Sequence, residues 1–255
     1  MTTKAPEPVV GFDRVGLMYG NGTTALSDVS LAVDRGEFVS IVGPSGCGKS
    51  TLLRIASGLT PATDGRCEVA ASRVGYVFQE ATLLPWRTAL RNVALFGELS
   101  RTQSSRADRD ARLASAQKAL DEVGLTGFED ALPHQLSGGM RMRVSLARSL
   151  TVEPDLFLFD EPFGALDEMT RDRLNDLVFD LFRTHRFAGM FVTHSVREAV
   201  AMSTRVVVMS GRPGRIVEEF AVPFGDDRGP ELRESAPFAE LVARVTHSLR
   251  EVVAV

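Results

Sequence analysis

Residues 38–59, FVSIVGPSGCGKSTLLRIASGL, place an apolar run of strand length, a glycine-rich loop and a helical pattern in immediate succession. The loop Gly43–Ser50 matches G-x-x-x-x-G-K-[ST], in which glycines let backbone N–H groups converge on phosphate oxygens. The helix N-terminus adds partial positive charge, Lys49 can reach the β- and γ-phosphates, and Ser50 can bind magnesium. The stretch therefore predicts a nucleoside triphosphate site, and the flanking strand and helix argue against an accidental glycine-rich turn.

Other apolar runs of strand length follow the same pattern: Val74–Phe78, Leu156–Phe159, Met190–Thr193 and Val206–Met209. Near-continuous apolar runs are typical of parallel strands that are buried on both faces. Val9–Met18 and Ser30–Val33 are weaker and more alternating, which indicates an antiparallel edge or a small β-subdomain. The pattern predicts an α/β fold, a P-loop NTPase with a mostly parallel central sheet and an antiparallel β-subdomain.

Between Gln79 and Pro154 the strand pattern gives way to helical spacing, with Leu113, Leu120 and Val123 on one face. Near the end, apolar residues from Phe238 to Val252 repeat at helical spacing and predict an amphipathic helix. We therefore expect a single domain over residues 1–255. Its expected parts are a core of about 9–78 and 153–220, a helical subdomain of about 79–152, and a C-terminal hairpin and helix of about 211–255.

Composition and charge narrow the function classes. Of the 255 residues, 29 are Lys or Arg and 33 are Asp or Glu, a net charge of −4 that is opposite to the basic footprint of nucleic-acid binders. The longest stretch without these charged residues, Val15–Ser27, contains Gly, Asn and Thr and predicts no membrane span. The start MTTKAPEPVV carries no secretory signal pattern, so we expect a cytoplasmic location. The cysteines Cys47 and Cys67 fit no zinc spacing, and we expect reduced thiols and no structural metal.

Two carboxylates end the apolar run Leu156–Phe159. Asp160 could hold the magnesium shell and Glu161 could polarise an attacking water, although Asp160-Glu161-Pro162 could also merely end a strand and start a turn. The phosphate loop favours the catalytic interpretation. His194, at another strand end, could sense a γ-phosphate or cap the next helix, and taken alone the cap is favoured.

The segment Leu136-Ser137-Gly138-Gly139-Met140-Arg141 resembles the signature of ATP-binding-cassette (ABC) ATPases. The other family motifs follow in the same order and spacing: Tyr19, Gly43–Thr51, Gln79, Asp160-Glu161, Ala165-Leu166-Asp167 and His194. The resemblance spans about Val10 to Phe220. One position departs from the family, because Met140 stands where the signature usually has Gln, and we leave it out of the binding set.

The resemblance implies a role for each motif. Tyr19 stacks on adenine, Glu161 is the general base, and His194 contacts the γ-phosphate instead of capping a helix. Ser137, Gly138 and Gly139 bind the γ-phosphate held by the partner subunit's Lys49, and Asp167 crosses the same interface. Ser50, Gln79 and Asp160 serve magnesium, and Gln79 also contacts the attacking water. The phosphate loop supplies the remaining nucleotide contacts: Gly43, Pro44, Ser45, Gly46, Cys47, Gly48, Lys49, Ser50 and Thr51.

One phosphate loop and one signature make half of each of two sites, so the resemblance implies a head-to-tail dimer around two MgATP. It also implies integral-membrane permease partners, a substrate-binding protein reached through them, and a peripheral position at the cytoplasmic membrane face. The segments LLPWRTALRNV and MSGRPGRIVEEF resemble the nitrate/sulfonate/taurine branch of import ATPases, with a small oxyanion, sulfonate, organic acid or vitamin precursor as cargo. Trp86 in the first segment is an interface anchor or a local core plug, with equal support.

Alternatives from other classes are less well supported. Another type of ABC transporter would share every motif. A soluble ABC ATPase that acts on nucleic acid or ribosomes would need long coiled coils, tandem cassettes or a basic face, and another phosphate-loop enzyme such as a kinase would have no use for Leu136–Gly139.

Cys47, near a helix N-terminus, is expected to be a reactive thiolate, although a buried inert thiol is the alternative.

Overall fold

The computed structural model describes residues 8–99 and 106–253. A six-stranded sheet forms the centre of this part of the chain, in the order β5-β6-β7-β3-β8-β9. Its strands are β3 (Phe38–Val42), β5 (Val74–Val77), β6 (Leu156–Asp160), β7 (Ala188–Val192), β8 (Arg205–Met209) and β9 (Ile216–Ala221). All neighbours pair in parallel except β9, which runs antiparallel to β8. The predicted parallel strands are confirmed.

The central strands β3, β6 and β7 are buried along their whole length. Successive side chains point to opposite faces, so the phenylalanines Phe38, Phe157, Phe159 and Phe191 share one face. On this face the ring of Phe38 lies 5.2 Å from that of Phe182 in an edge-on contact. The alternate aliphatic residues, such as Ile41 and Leu158, pack into a second core cluster on the other face. Burial on both faces explains why these strands are uninterrupted apolar runs.

A smaller antiparallel sheet has the order β2-β1-β4, formed by β1 (Val10–Met18), β2 (Thr24–Val33) and β4 (Asp64–Val69). The predicted antiparallel unit is confirmed, but β4 is a strand that the sequence did not predict. Five of the six β4 residues are exposed, so DGRCEV carries no apolar pattern. Gly65 has φ +69°, and a Cβ there would lie 2.2 Å from the Arg14 carbonyl oxygen, so this pairing requires glycine.

Helices occupy the region between β5 and β6, as the spacing predicts. The helices are α2 (Ala89–Val93), α3 (Leu95–Leu99), α4 (Arg106–Glu122), a 3₁₀ turn at Pro133–Gln135, and α5 (Gly138–Leu150). Helix α4 buries Ala116 and Leu120, while most of its charged residues face outward. Ser137 is the N-cap of α5, and its hydroxyl accepts a hydrogen bond from the Met140 N–H.

The remaining helices are α1 (Lys49–Ala56), α6 (Glu168–His185), α7 (Val196–Met202), α8 (Pro230–Arg233) and α9 (Ala236–Val253). The predicted C-terminal helix is confirmed, because Phe238, Leu241 and Val245 of α9 pack in one cluster with residues of β8 and α7. Within the described ranges, no helix is both long and apolar enough to cross a membrane.

Candidate nucleotide site

The phosphate loop connects β3 to α1 at the carboxyl end of the central sheet. Gly46 and Gly48 have φ values of +73° and +108°, in the region that favours glycine. A Cβ on Gly48 would also lie 2.6 Å from Leu26 Cδ2 and 2.9 Å from the Ala25 carbonyl oxygen. The first turn of α1 contains no acidic residue, and its first N–H groups have no acceptor within the helix. The loop therefore has the backbone geometry and the positive helix end that a phosphate requires.

Lys49 lies beneath this loop and is only 4% exposed. Its Nζ donates hydrogen bonds to the carbonyl oxygens of Gly43 at 2.9 Å and Pro44 at 3.0 Å. The side chain therefore folds back against the loop and is not exposed to solvent. Charged phosphate oxygens accept stronger hydrogen bonds from ammonium groups than neutral carbonyls do. Lys49 is thus placed to exchange backbone contacts for phosphate contacts.

Asp160 lies at the carboxyl end of β6 with a hydroxyl group on each of its oxygens. Ser50 Oγ donates to Oδ1 at 2.6 Å, and the Tyr76 hydroxyl donates to Oδ2 at 3.2 Å. Magnesium prefers such oxygen ligands and is usually held by one or two carboxylates together with substrate phosphates. The pair Ser50 and Asp160 therefore fits a magnesium ion bound next to a nucleotide.

Tyr76 contacts the site through Asp160 and was not predicted from the sequence. Burial raises the pKa of its phenol, and the neighbouring Asp160 carboxylate raises it further, so the hydroxyl stays a donor. In the run VGYVF, Tyr76 contributes to the predicted strand as an apolar residue. The available signal was its hydroxyl group, since a tyrosine in a buried strand needs a hydrogen-bond partner.

Glu161 and His194 face each other at the ends of β6 and β7. His194 Nε2 lies 2.7 Å from Glu161 Oε1, and the same carboxylate oxygen is 4.0 Å from Lys49 Nζ. Glu161 has φ +48°, a left-handed conformation that few non-glycine residues adopt. The interpretation of Asp160-Glu161-Pro162 as a simple strand end does not account for this convergence of side chains.

The cap interpretation of His194 is wrong. Ser195 is the N-cap of α7, and its hydroxyl accepts a hydrogen bond from the Glu198 N–H at 3.2 Å. The imidazole is left about half exposed, beside Glu161. This location agrees with the role that the family resemblance implies.

Tyr19 lies at the edge of the same site, where β1 ends. Its hydroxyl is 3.0 Å from Thr51 Oγ1 in the first turn of α1. The side chain is exposed, so its ring is accessible to a flat ligand such as a purine.

The signature and Asp167 form a second group, away from the phosphate loop. Asp167 is the N-cap of α6 and accepts a hydrogen bond from the Thr170 N–H at 2.9 Å, which lowers the pKa of its carboxyl. A Cβ on Gly139 would lie 2.7 Å from Thr170 Cγ2, so the N-termini of α5 and α6 are in close contact. Gln79 lines a cavity with Gly138 and residues of the loop that precedes Asp167.

The predicted site residues therefore lie in two groups. The first contains Tyr19, the loop 43–51, Asp160, Glu161 and His194, and the second contains Gln79, residues 137–139 and Asp167. In the described part of the chain, no hydrogen bond or ion pair joins residues 43–51 to residues 137–139. One chain thus presents two separate surfaces that suit phosphate.

The prediction of a reactive Cys47 is wrong. The thiol is buried, and burial raises its pKa more than the Lys49 charge and backbone hydrogen bonds lower it. The hairpin between β8 and β9 covers it closely, since a Cβ on Gly214 would lie 2.0 Å from the Cys47 carbonyl oxygen.

We expect iodoacetamide at neutral pH to leave Cys47 unmodified in the native chain, because a thiol with a raised pKa is rarely ionised. Cys67 is also expected to react slowly, since burial raises its pKa to about 11. Peptide mass spectrometry of native and urea-unfolded samples checks this, with labelling of both cysteines in urea as the control. Rapid native labelling of Cys47 would show that the covered geometry is wrong.

Comparison with known proteins agrees with the motifs and the geometry. Residues 26–164, more than half of the chain, match the model of the ABC transporter family. An uncharacterized ABC transporter ATP-binding protein of Methanocaldococcus jannaschii is 43% identical over 241 residues, covering 92% of this chain and 87% of that protein. The aliphatic sulfonates import ATP-binding protein SsuB 2 of Burkholderia cenocepacia is 45% identical over 225 residues, covering 84% of this chain and 80% of that protein.

A solved structure is similar over most of the chain. It is a dimeric post-hydrolysis state of an ATP-binding cassette bound to ADP and Pi, with 30% identity and a TM-score of 0.74. The match covers 85% of this chain and 100% of that structure. The predicted fold class and the resemblance to ABC ATPases are confirmed. The chain belongs to the ABC transporter family and is one of its ATP-binding, ATP-hydrolysing cassettes.

Proposed function

We propose that the chain is the nucleotide-binding subunit of an ABC importer and that two copies enclose two MgATP in a head-to-tail dimer. The main observation that supports a dimer is that the phosphate loop and the signature helix are separated within one chain. A second copy placed head to tail would bring each loop against the other copy's α5 N-terminus, which suits an anion. The similar cassette bound to ADP and Pi is dimeric, which supports this arrangement.

The phosphate-loop group binds the nucleotide and its magnesium. Lys49 and the backbone N–H groups of residues 43–51 hold the β- and γ-phosphates, and Tyr19 stacks on adenine. Ser50 and Asp160 would hold magnesium, with Gln79 as a further contact to it. Magnesium bound there would neutralise charge on the phosphate oxygens.

Glu161 accepts the proton of the attacking water, and His194 holds the γ-phosphate. Their 2.7 Å contact supports this division, because one histidine can orient the carboxylate and face the phosphate. Ser137, Gly138 and Gly139 of the partner subunit complete the γ-phosphate contacts, and Asp167 crosses the interface.

The domain organisation we propose has three parts: a core of about 9–78 and 153–220, an inserted helical subdomain of about 79–152, and a C-terminal hairpin and helix of about 211–255.

Import is supported by several similar proteins named aliphatic sulfonates import ATP-binding proteins, at 42–45% identity. The cargo we propose is a small solute of the nitrate, sulfonate or taurine kind, or a related organic anion or vitamin precursor. The chain would act at the cytoplasmic face of the membrane, with permease subunits and, through them, a substrate-binding protein. No comparable observation favours an ATPase that acts on nucleic acid or ribosomes.

Co-purification tests this proposal. The tagged chain is isolated from its own membranes in mild detergent, and the bound integral-membrane protein is identified and reconstituted with the chain in vesicles. We expect a permease to co-purify, and ATP-dependent solute uptake to be lost when Lys49 is replaced. Recovery of ribosomal proteins or nucleic acid instead of a permease would contradict the proposal.

Trp86 marks the surface where we expect the permease to dock. Its side chain is 72% exposed, so the core-plug interpretation is wrong. An exposed aromatic side chain of this size is typical of an interface anchor. The residue lies after Gln79, on the segment that leads from the nucleotide site to α2.

Trp86→Ala is expected to leave ATP affinity unchanged but to weaken permease assembly or uncouple hydrolysis from uptake. Exposed substitutions usually change stability by less than about 0.5 kcal/mol, so the melting temperature should stay close to wild type. Leu59→Ala, which also removes an exposed apolar side chain, is the matched control and should assemble normally. A Trp86→Ala chain that melts several degrees lower yet couples normally would refute the docking assignment.

A further inference from the structure

Thr193 directly precedes His194 and is fixed by two hydrogen bonds through one hydroxyl group. The hydroxyl accepts from the Ser195 N–H at 3.0 Å and donates to Glu198 Oε2 in a short contact. Thr193 and Glu198 are both more than nine-tenths buried. Thr193 is therefore bonded to a carboxylate in α7 and, through the same hydroxyl, to the backbone of Ser195.

Glu198 holds the same loop a second time, because its backbone N–H donates to the Ser195 hydroxyl at 3.2 Å. The His194 imidazole, by contrast, is 48% exposed. Packing around the ring thus contributes little to its position, which depends on how residues 193–195 are held. A displacement of this loop would separate His194 from Glu161.

Burying the Glu198 carboxylate at this position costs folding free energy. Its Oε1 is buried with no hydrogen-bond partner among the described residues, and burying an unpaired polar oxygen opposes folding. Burial raises the pKa of Glu198, while hydrogen bonds from Thr193 and Asn175 and the charge of Arg171 oppose that rise. A well-packed apolar side chain would avoid this cost, so stability alone does not explain the residue.

The Glu198 carboxylate lines a cavity together with residues of the proposed reaction site. Glu161, Arg171, His194 and Glu198 line it together. Arg171 donates to the carbonyl oxygens of Leu166 at 2.7 Å and Phe163 at 3.3 Å, and so fixes the loop between Glu161 and Asp167. The loop between Glu161 and Asp167, which also lines this cavity, is therefore held in place as well.

We propose that Thr193 and Glu198 are positioning residues that hold His194 against Glu161 through the hydrogen bonds of the Thr193 hydroxyl. This inference rests on the proposed function, because His194 must act in ATP hydrolysis for its position to matter. Neither residue contacts the nucleotide in this scheme. Because Lys49 and the phosphate loop supply most of the phosphate contacts in this scheme, the loss of either residue should lower turnover much more than nucleotide affinity.

Thr193→Val tests the proposal, because valine has nearly the same shape but cannot make either hydrogen bond. We expect kcat for ATP hydrolysis to fall about 10- to 100-fold, the usual effect of losing a supporting contact around a reactive group. KM and the affinity for a fluorescent ATP analogue should stay within about twofold of wild type. Thr193→Ser keeps the hydroxyl and should restore most of the turnover. A Thr193→Val chain with wild-type kcat would overturn the proposal.

Two variants of Glu198 test the carboxylate end of the contact. Glu198→Gln keeps an oxygen that accepts the Thr193 hydrogen bond and should retain most of the turnover, whereas Glu198→Ala should match Thr193→Val. A folded Glu198→Ala chain, verified by circular dichroism, that hydrolyses ATP at the wild-type rate would contradict the assignment.

His194→Ala separates failure of this inference from failure of the proposed function. If Thr193 acts through His194, Thr193→Val/His194→Ala should hydrolyse ATP at the His194→Ala rate within about twofold, since the two changes remove one unit. A further multiplicative loss in the double mutant would mean that Thr193 acts independently of His194. A His194→Ala chain with normal turnover would instead refute the role of His194 in the proposed function itself.

Discussion

Glu161→Gln is expected to lower ATP turnover by about two to four orders of magnitude, the usual contribution of a general base. Glutamine keeps the shape of glutamate and can still hydrogen-bond to His194, but it no longer accepts a proton. The left-handed backbone conformation at position 161 is equally unfavourable for glutamate and glutamine, so the substitution adds no backbone strain. MgATP binding should therefore survive, because Lys49, Ser50 and Asp160 are unchanged.

With hydrolysis blocked, MgATP should accumulate in the closed dimer. Size-exclusion chromatography of Glu161→Gln with saturating MgATP should show a stable dimer, which wild type forms only transiently. The double mutant Glu161→Gln/Ser137→Arg is the control, because a bulky cation at the N-cap of α5 blocks the signature half of the composite site. A monomeric Glu161→Gln, or a double mutant that still dimerises, would contradict the composite site.

The same variant distinguishes the other roles that Glu161 could have. If it only ended a strand, the change would have little effect on turnover. If it were the main magnesium ligand, MgATP affinity would fall and no dimer would persist. The proposed function assigns the magnesium to Ser50 and Asp160, whose Oδ1 accepts from Ser50, so retained affinity is the expected outcome.

The central sheet was predictable because burial on both faces selects continuous apolar runs. Phe38–Val42 was predicted with its observed bounds, and Leu156–Phe159 differs from β6 by one residue. The phosphate loop was predictable for another reason, since its local motif requires glycines at fixed positions. In both cases the physical constraint acts within a few consecutive residues.

Features that depend on contacts distant in sequence were not predictable. Strand β4 pairs through its backbone and exposes its side chains, so its residues show no apolar pattern. Tyr76 and Asp160 are 84 residues apart in the chain and meet only because β5 and β6 are neighbours. Cys47 is buried, and burial raises the pKa of its thiol, an effect that the local helix-end argument could not include.

The helix-end argument for His194 failed for a related reason. The sequence Thr-His-Ser before α7 offers more than one capping residue, and Ser195 occupies that position. Because Ser195 is the N-cap, the His194 imidazole is left to contact Glu161, which lies in another part of the sequence. The family resemblance, by contrast, groups His194 with Glu161, and the two side chains lie 2.7 Å apart.

The buried position of Lys49 changes what its removal should do. Lys49→Ala is expected to lower ATP turnover by at least about 10²- to 10³-fold, the loss typical when one charged or polar donor to a developing negative charge is removed. Nucleotide affinity should fall as well. The variant also leaves the Gly43 and Pro44 carbonyl oxygens without their donor and opens space beneath the loop.

Lys49→Met separates the charge from the packing, because methionine fills similar volume without an ammonium group. If the charge matters, both variants lose turnover and bind a fluorescent ATP analogue weakly, while Lys49→Met keeps a melting temperature closer to wild type. Lys118→Ala, which removes an exposed lysine whose contact with Glu122 measures 3.8 Å, is the matched control and should bind and hydrolyse ATP normally. Normal analogue affinity and turnover in a folded Lys49→Met chain would remove the phosphate-loop assignment. Loss in Lys49→Ala alone would show that the side chain acts only by filling space.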